Sequence, residues 1–188
     1  FSQSACGFVL EFTDVIVKRW MNSRIATYTN GYHGNGTTGG WEYSDVRAYL
    51  NNGIYTNPAF PNLNYSEDIS YIDYADTGLL INMPSDLRSR LANTTVVSAR
   101  GKDPDNFVTT DKLYLLAVKE VYGPDSYYTI YGNTATDASR QLDYYNSVGV
   151  ATTSNSNGPT VKEYNGTEIM WWFRDASEDS LDAYFINT

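Results

Sequence analysis

Trp41-Glu-Tyr-Ser-Asp-Val-Arg-Ala-Tyr-Leu-Asn51, closed by Asn52-Gly53, reads as a short amphipathic helix with both ends encoded locally. Ser44 offers a hydroxyl to the first free backbone N–H groups, and Asp45 sets a negative charge at the positive end of the helix dipole. Val46, Tyr49 and Leu50 share one face at the spacing that buries a stripe. Asn52-Gly53 then supplies residues that tolerate the backbone turn ending a helix.

Working outward, residues 7–12 and Val15-Ile-Val17 read as short strands around Thr13-Asp14. Residues 28–40, with Asn30-Gly31, Asn35-Gly36 and Gly39-Gly40, read as a loop outside any core. Downstream, 54–82 reads as irregular, broken by Pro58 and Pro61. A second helix is expected near 84–92: Pro84 suits a first turn, and Met83, Leu87 and Leu91 form its buried stripe with Arg88 and Arg90 outward. Residues 94–99 read as a strand, 101–106 as a polar turn, 112–116 as a buried strand and 118–122 as a helical turn ended by Gly123-Pro124. The polar, tyrosine-rich stretch 125–166 reads as loose, with one helix near 139–145. Residues 169–173 read as the most hydrophobic strand and 184–186 as the last. No internal repeat or linker divides residues 1–188, so a single domain is expected.

Composition narrows the function classes. Hydrophobic residues are 41% and charged residues 19% of the 188, which fits a globular chain with a substantial core. The net charge is −9 and the 13 basic residues are scattered, so neither a nucleic-acid backbone nor an anionic membrane surface is an expected partner. No apolar run reaches the ~20 residues of a membrane span. There are 17 tyrosines and 17 asparagines, with many Ser, Thr and Gly. Recognition loops use this palette, in which Tyr gives rigid contact area and Asn, Ser and Gly adaptable polar groups; Tyr and Thr also simply suit strands. Four glycosylation sequons begin at Asn35, Asn64, Asn93 and Asn165, a number an Asn- and Thr-rich chain reaches easily by chance.

Three segments together resemble one family. Residues 41–51 are similar to its W-x-x-S-D-[LV]-R-x-x-L-N helix. Asp111-Lys-Leu-Tyr-Leu-Leu116, running into Val118-Lys-Glu-Val121, resembles its D-K-[LV]-F-L-L-S-x-x-E-V segment. Trp171-Trp-Phe-Arg174 resembles its W-W-L-R-S-P hallmark, with Phe173, Asp175 and Ala176 in place of Leu, Ser and Pro. In order and separation they resemble a bacterial domain of unknown function, the DUF6273 type, over roughly residues 8–186. The resemblance implies a C-type lectin-like fold, near the variable proteins diversified by retroelements. That fold is α+β: two helices, a small, mainly antiparallel twisted sheet and long irregular loops. It implies scaffold roles for Trp41, Asp45, Arg47, Trp171, Trp172 and Arg174, and no catalytic residues. It also implies further strands after Asn187, so the 183–186 edge is expected to pair with missing sequence or another chain. The 188 residues are accordingly read as a processed product or an excerpt of a longer chain.

The chemistry-bearing residues point the same way. His33 is the only histidine and lies in the Gly-rich loop, without the rigid frame a catalytic triad needs. Cys6 has no partner for a disulfide or a two-cysteine enzyme, and with His33 alone no ordinary zinc site forms; no cofactor is expected. The best oxygen clusters for calcium are Asp103, Asp105 and Asn106, and Glu178, Asp179 and Asp182, read in the first place as solvated turn acids. Glycoside hydrolysis needs a carboxylate pair, and nothing singles out two of the 22 acids. Trp171 and Trp172 alternate on a strand, so one should face the core and the other the opposite side. Tyr127, Tyr128, Tyr131 and Tyr164 lack a burying period and are the candidate ligand contacts. The expected function is a non-enzymatic module on a bacterial surface or a virion, binding protein or glycan. The alternatives are a decoration or assembly domain, and a hydrolase with an unrecognised carboxylate pair.

Overall fold

The computed structural model describes residues 2–4, 7–19, 21, 41–42, 44–56, 71–100, 103–123, 141–150, 158–176 and 183–186. In chain order the elements are β1 (Ser2–Ser4), β2 (Gly7–Val9), α1 (Asp45–Leu50), β3 (Ile54–Thr56), β4 (Tyr71–Asp73), α2 (Leu79–Asn82) and α3 (Ser85–Arg90). There follow β5 (Thr94–Arg100), β6 (Asp103–Asp111), α4 (Val118–Tyr122), α5 (Asp143–Ser147), β7 (Lys162–Tyr164), β8 (Thr167–Ile169), β9 (Trp171–Ala176) and β10 (Ala183–Ile186). The strands pair antiparallel, each with its neighbour in sequence. The protein is thus mixed α and β, with short helices and small antiparallel sheets.

Local chemistry explains α1. Ser44 Oγ accepts from Arg47 N at 3.1 Å, and Asn52 takes a positive φ of 57° just past the helix end. Beyond it, Gly78 is the N-cap of α2, where a Cβ would lie 2.5 Å from Asn52 Oδ1 and 2.7 Å from the Tyr49 carbonyl. Only glycine admits that approach. The hairpin β7–β8 turns on Asn165-Gly166, both at positive φ (53° and 75°), the backbone a two-residue hairpin requires.

Elsewhere the architecture corrects the sequence expectations. Val15-Ile-Val17 is no strand; Val15 N donates to Glu163 O at 2.9 Å while the chain crosses the β7–β8 hairpin. The polar turn expected over 101–106 does not extend to 103–106: β6 starts at Asp103, which pairs with Arg100, and after a shift of register the ladder runs from Ala99↔Asn106 to Thr94↔Asp111, residues 101 and 102 lying outside the described residues. Cross-strand pairing overrides the turn propensity of Asp and Asn there. Residues 54–82 contain β3, β4 and α2, and the helix expected near 139–145 is α5, at 143–147. Met83, Leu87 and Leu91 are only half-buried, since α3 is six residues long and lies at the surface. The 169–173 strand is interrupted at Met170, which separates β8 from β9.

Among the described residues two large apolar clusters form most of the core, beside a small one of Ala48 and Tyr74. Leu116, Val118, Val121, Tyr122, Tyr145, Val150, Trp171 and Phe173 make one. Met21, Trp41, Val46, Leu50 and Val96 make the other, with Leu113, Tyr114, Leu115 and Trp172 packed against it. Strand β9 and residues 113–118 therefore contribute to both. Trp171 is buried in the first cluster, and Trp172 is half-buried against the second. Among the described residues no helix is long and apolar enough to cross a membrane.

Candidate functional site

Residues 112–116 are the largest departure from the sequence reading. Apolar and buried in part, they form no strand. Side chains and one backbone N–H of β9, not a neighbouring ladder, bond their backbone. Asn51 Oδ1 accepts from the N–H groups of Lys112 (3.0 Å) and Leu113 (3.1 Å), and its Nδ2 donates to Leu113 O (2.8 Å). Arg174 Nη1 donates to Leu115 O at 2.8 Å, and Arg174 N donates to Leu116 O at 3.0 Å. Ala117 N donates to Glu120 Oε2 (2.7 Å) and Val118 N to Asp175 Oδ2 (2.8 Å), so the start of α4 is capped from its own first turn and from β9. A helix leaves its first N–H groups without internal partners, and these two carboxylates supply them.

The ends of this segment are locked by buried charge. Asp111 Oδ2 accepts from Trp41 Nε1 (3.0 Å), Thr109 Oγ1 (2.6 Å) and Arg47 Nε (3.1 Å), and Oδ1 accepts from Arg47 Nε at 2.9 Å. Arg47 Nη1 donates to Glu42 O. At the other end Arg174, 1% exposed, pairs with Glu120 at 2.5 Å and donates to Val97 O at 3.0 Å. Asp175 Oδ1 accepts from Ala99 N at 3.0 Å. Burial holds the Asp175 carboxyl above its ordinary range, against the opposing pull of Arg174 and of two backbone donors. Bonds of this kind are expensive to break, because removing one partner leaves a buried charge unpaired.

A third set sits on α1. Tyr74 donates to Asp45 Oδ1 at 2.5 Å, and Arg19 Nη2 donates to the Tyr74 hydroxyl at 2.6 Å. The Arg19 guanidinium lies 4.1 Å from the Tyr49 ring centroid and 5.1 Å from that of Tyr74. Burial raises Asp45 above the usual carboxylate range, while Tyr74 and Arg19 act against it. Tyr74 itself is pushed up to about 12, by burial first and then by the bond to Asp45.

One polar cleft, of about 450 Å³, opens beside α1 and is lined by Glu42, Arg47, Asn51, Ile54, Thr110 and Asp111 among others. Most of its wall is occupied from within, through the Asn51 and Asp111 bonds above. Of the candidate ligand contacts, Tyr164 ends β7, half-buried, with Lys18 Nζ 4.6 Å from its ring centroid. Tyr127, Tyr128 and Tyr131 lie outside the described residues, as do His33, Cys6, Glu178, Asp179 and Asp182. Asp103, Asp105 and Asn106 lie on β6. Among the described residues no group of three or more His, Cys, Asp or Glu is placed to hold a metal.

Sequence reasoning names Trp41, Asp45, Arg47 and Arg174 but assigns no roles to their partners Asn51, Asp111, Glu120, Asp175 and Tyr74. A signal for the first three existed. Each is a polar residue at a fixed place in one of the segments that carry the family resemblance, beside residues that are otherwise apolar. Those segments converge in space on residues 111–120. Nothing in the sequence marks Tyr74 or Asp175 in this way.

A family model described as "Domain of unknown function (DUF6273)" matches residues 13–188. No curated protein and no solved structure matches the chain.

Proposed function

The chain belongs to the DUF6273 domain family, and on that footing we propose that it is a non-enzymatic recognition module with a C-type lectin-like fold. It is displayed on a bacterial surface protein or a phage particle and contacts protein or glycan through aromatic loops. One observation carries this reading: the polar groups of the recurrent segments are turned inward, onto the backbone of residues 112–118. Such a core exists to hold irregular chain in place, which is what a loop-presenting scaffold needs. Of the groups whose protonation is displaced, Asp45 and Tyr74 are tied to each other and to Arg19, Asp175 to backbone N–H groups and Tyr145 to Glu11, while Tyr122 is buried in the core. Structural networks of this kind displace protonation without any substrate. The tyrosine-rich composition supports contact through Tyr127, Tyr128, Tyr131 and Tyr164.

The test is a glycan and protein array probed with the 188-residue domain and with a variant carrying alanine at those four positions. A ligand held by the parent and lost by the variant, with circular dichroism unchanged, supports the reading. Equal binding by both, or turnover of an arrayed compound, overturns it.

A second reading has its own observation. Leu10, Phe12 and Ile16 are 55%, 45% and 45% exposed along one short stretch. Apolar side chains so grouped favour an assembly domain that buries them against neighbouring copies. Concentration-dependent sedimentation, abolished by Phe12→Ser, distinguishes it.

A further inference from the structure

The cleft beside α1 combines a fixed wall with a few groups that have nothing to do inside the protein. Asn51 makes four internal bonds and Asp111 accepts from Trp41, Thr109 and Arg47, so the wall is fixed before any ligand arrives. Rigidity of that kind removes part of the entropic cost of binding. Arg47 is held by Nε and Nη1, and its other amino group has no partner among the described residues. The Glu42 carboxylate and the Thr110 hydroxyl, which line the same cleft, also have no partner among the described residues. Ile54 stands at the rim, 55% exposed.

The chemistry of these groups selects a ligand class. Glu42 only accepts hydrogen bonds, the Arg47 amino group only donates, and the Thr110 hydroxyl does both. An anion meets the Glu42 charge and the −9 net charge of the chain. A cation offers no acceptor to the remaining Arg47 amino group, whose guanidinium is already paired with Asp111. A hydroxyl group, by contrast, donates to the carboxylate and accepts from the guanidinium at once. Neighbouring hydroxyls on one ring can engage Glu42, Arg47 and Thr110 together, while the apolar C–H face of that ring covers Ile54. The volume of about 450 Å³ falls in the small-ligand range of roughly 300–1,000 Å³. We infer that this cleft is a binding site for a neutral sugar residue, held by Glu42, Arg47 and Thr110 with Ile54 beneath its apolar face. This rests on the reading of the chain as a recognition module, names a glycan as its ligand, and adds a site separate from the tyrosine loops.

The experiment uses the 188-residue chain, amide-resolved NMR and the methyl glycosides of glucose, galactose, mannose and N-acetylglucosamine, with inorganic phosphate and methylammonium as charged comparisons. Glu42→Gln and Thr110→Val leave the Asp111 and Asn51 locks intact, so they report on binding without removing the scaffold. The expected result is saturable shifts at Glu42, Ile54 and Thr110 with at least one glycoside and none with the charged probes. Affinity should fall about tenfold in Glu42→Gln, the difference between a hydrogen bond to a carboxylate and one to a neutral amide oxygen. Unchanged affinity in both variants overturns the site, and so does a response to phosphate or methylammonium in place of the sugars. If array ligands bind through the tyrosines while no glycoside moves a cleft amide, this inference falls and the recognition reading stands. If neither binds, both fall.

Discussion

Tyr74 carries the clearest electrostatic consequence of single-residue placement. Its hydroxyl lies between Arg19 and Asp45, and its pKa is pushed up to about 12, from an ordinary value near 10. A group whose folded pKa lies above its unfolded one contributes stability below the unfolded value and loses it as pH rises to the folded one. Tyr74→Phe should therefore cost about 1–3 kcal/mol near neutral pH, where it removes one donor from a buried carboxylate. The gap between parent and variant should narrow as pH rises from about 10 to 12. Urea unfolding of both proteins across that range measures it, and a constant gap contradicts the assignment.

At the scale of elements, β9 decides most. Its alternation sends Trp171 and Phe173 into one cluster, with ring centroids 4.9 Å apart, and Trp172 toward the other. Trp171 also donates from Nε1 to Thr160 O at 3.0 Å. Trp171→Ala should destabilise by about 3–5 kcal/mol, as large-to-small core changes do, and Trp172→Ala, being half-exposed, by about 1–2 kcal/mol. Chemical denaturation compares the two; equal losses mean that the faces of β9 are not so divided. The strand's polarity and alternation were legible in Trp171-Trp-Phe-Arg174, and α1 was legible because Ser44 and Asn52 act within their own turn. The hairpin β7–β8 carried a readable Asn165-Gly166 signal, but its short flanks, Lys162–Tyr164 and Thr167–Ile169, gave no clean alternation to set beside it.

For the molecule as a whole, the two clusters share β9 and residues 113–118. Neither can lose its packing without disturbing backbone that serves the other. Val118→Ala in one cluster and Val96→Ala in the other should therefore lower a single cooperative transition. Tryptophan fluorescence and far-ultraviolet circular dichroism should coincide in both variants, as a two-state domain requires. Two separated transitions would mean that the clusters fold independently.

The sequence by itself determined what depends on neighbours in the chain: the capped helix α1, the helical turn of α4 ended by Gly123, the alternating face of β9, and membership of a family through three spaced segments. Only the tertiary structure decided what depends on partners far along the chain. Residues 112–116 have the composition of a strand but no strand beside them. Asn51 and Arg174, 61 and 59 positions distant at their bonds to Lys112 and Leu115, satisfy the backbone in its place. Residues 103–106 have the composition of a turn and lie in β6, because Arg100 and Ala99 of β5 pair with Asp103 and Asn106 across a shift of register. The cleft of Glu42, Arg47 and Thr110 has no sequence signature for the same reason: its groups become neighbours only after the Arg47–Asp111 pair draws α1 against the end of β6.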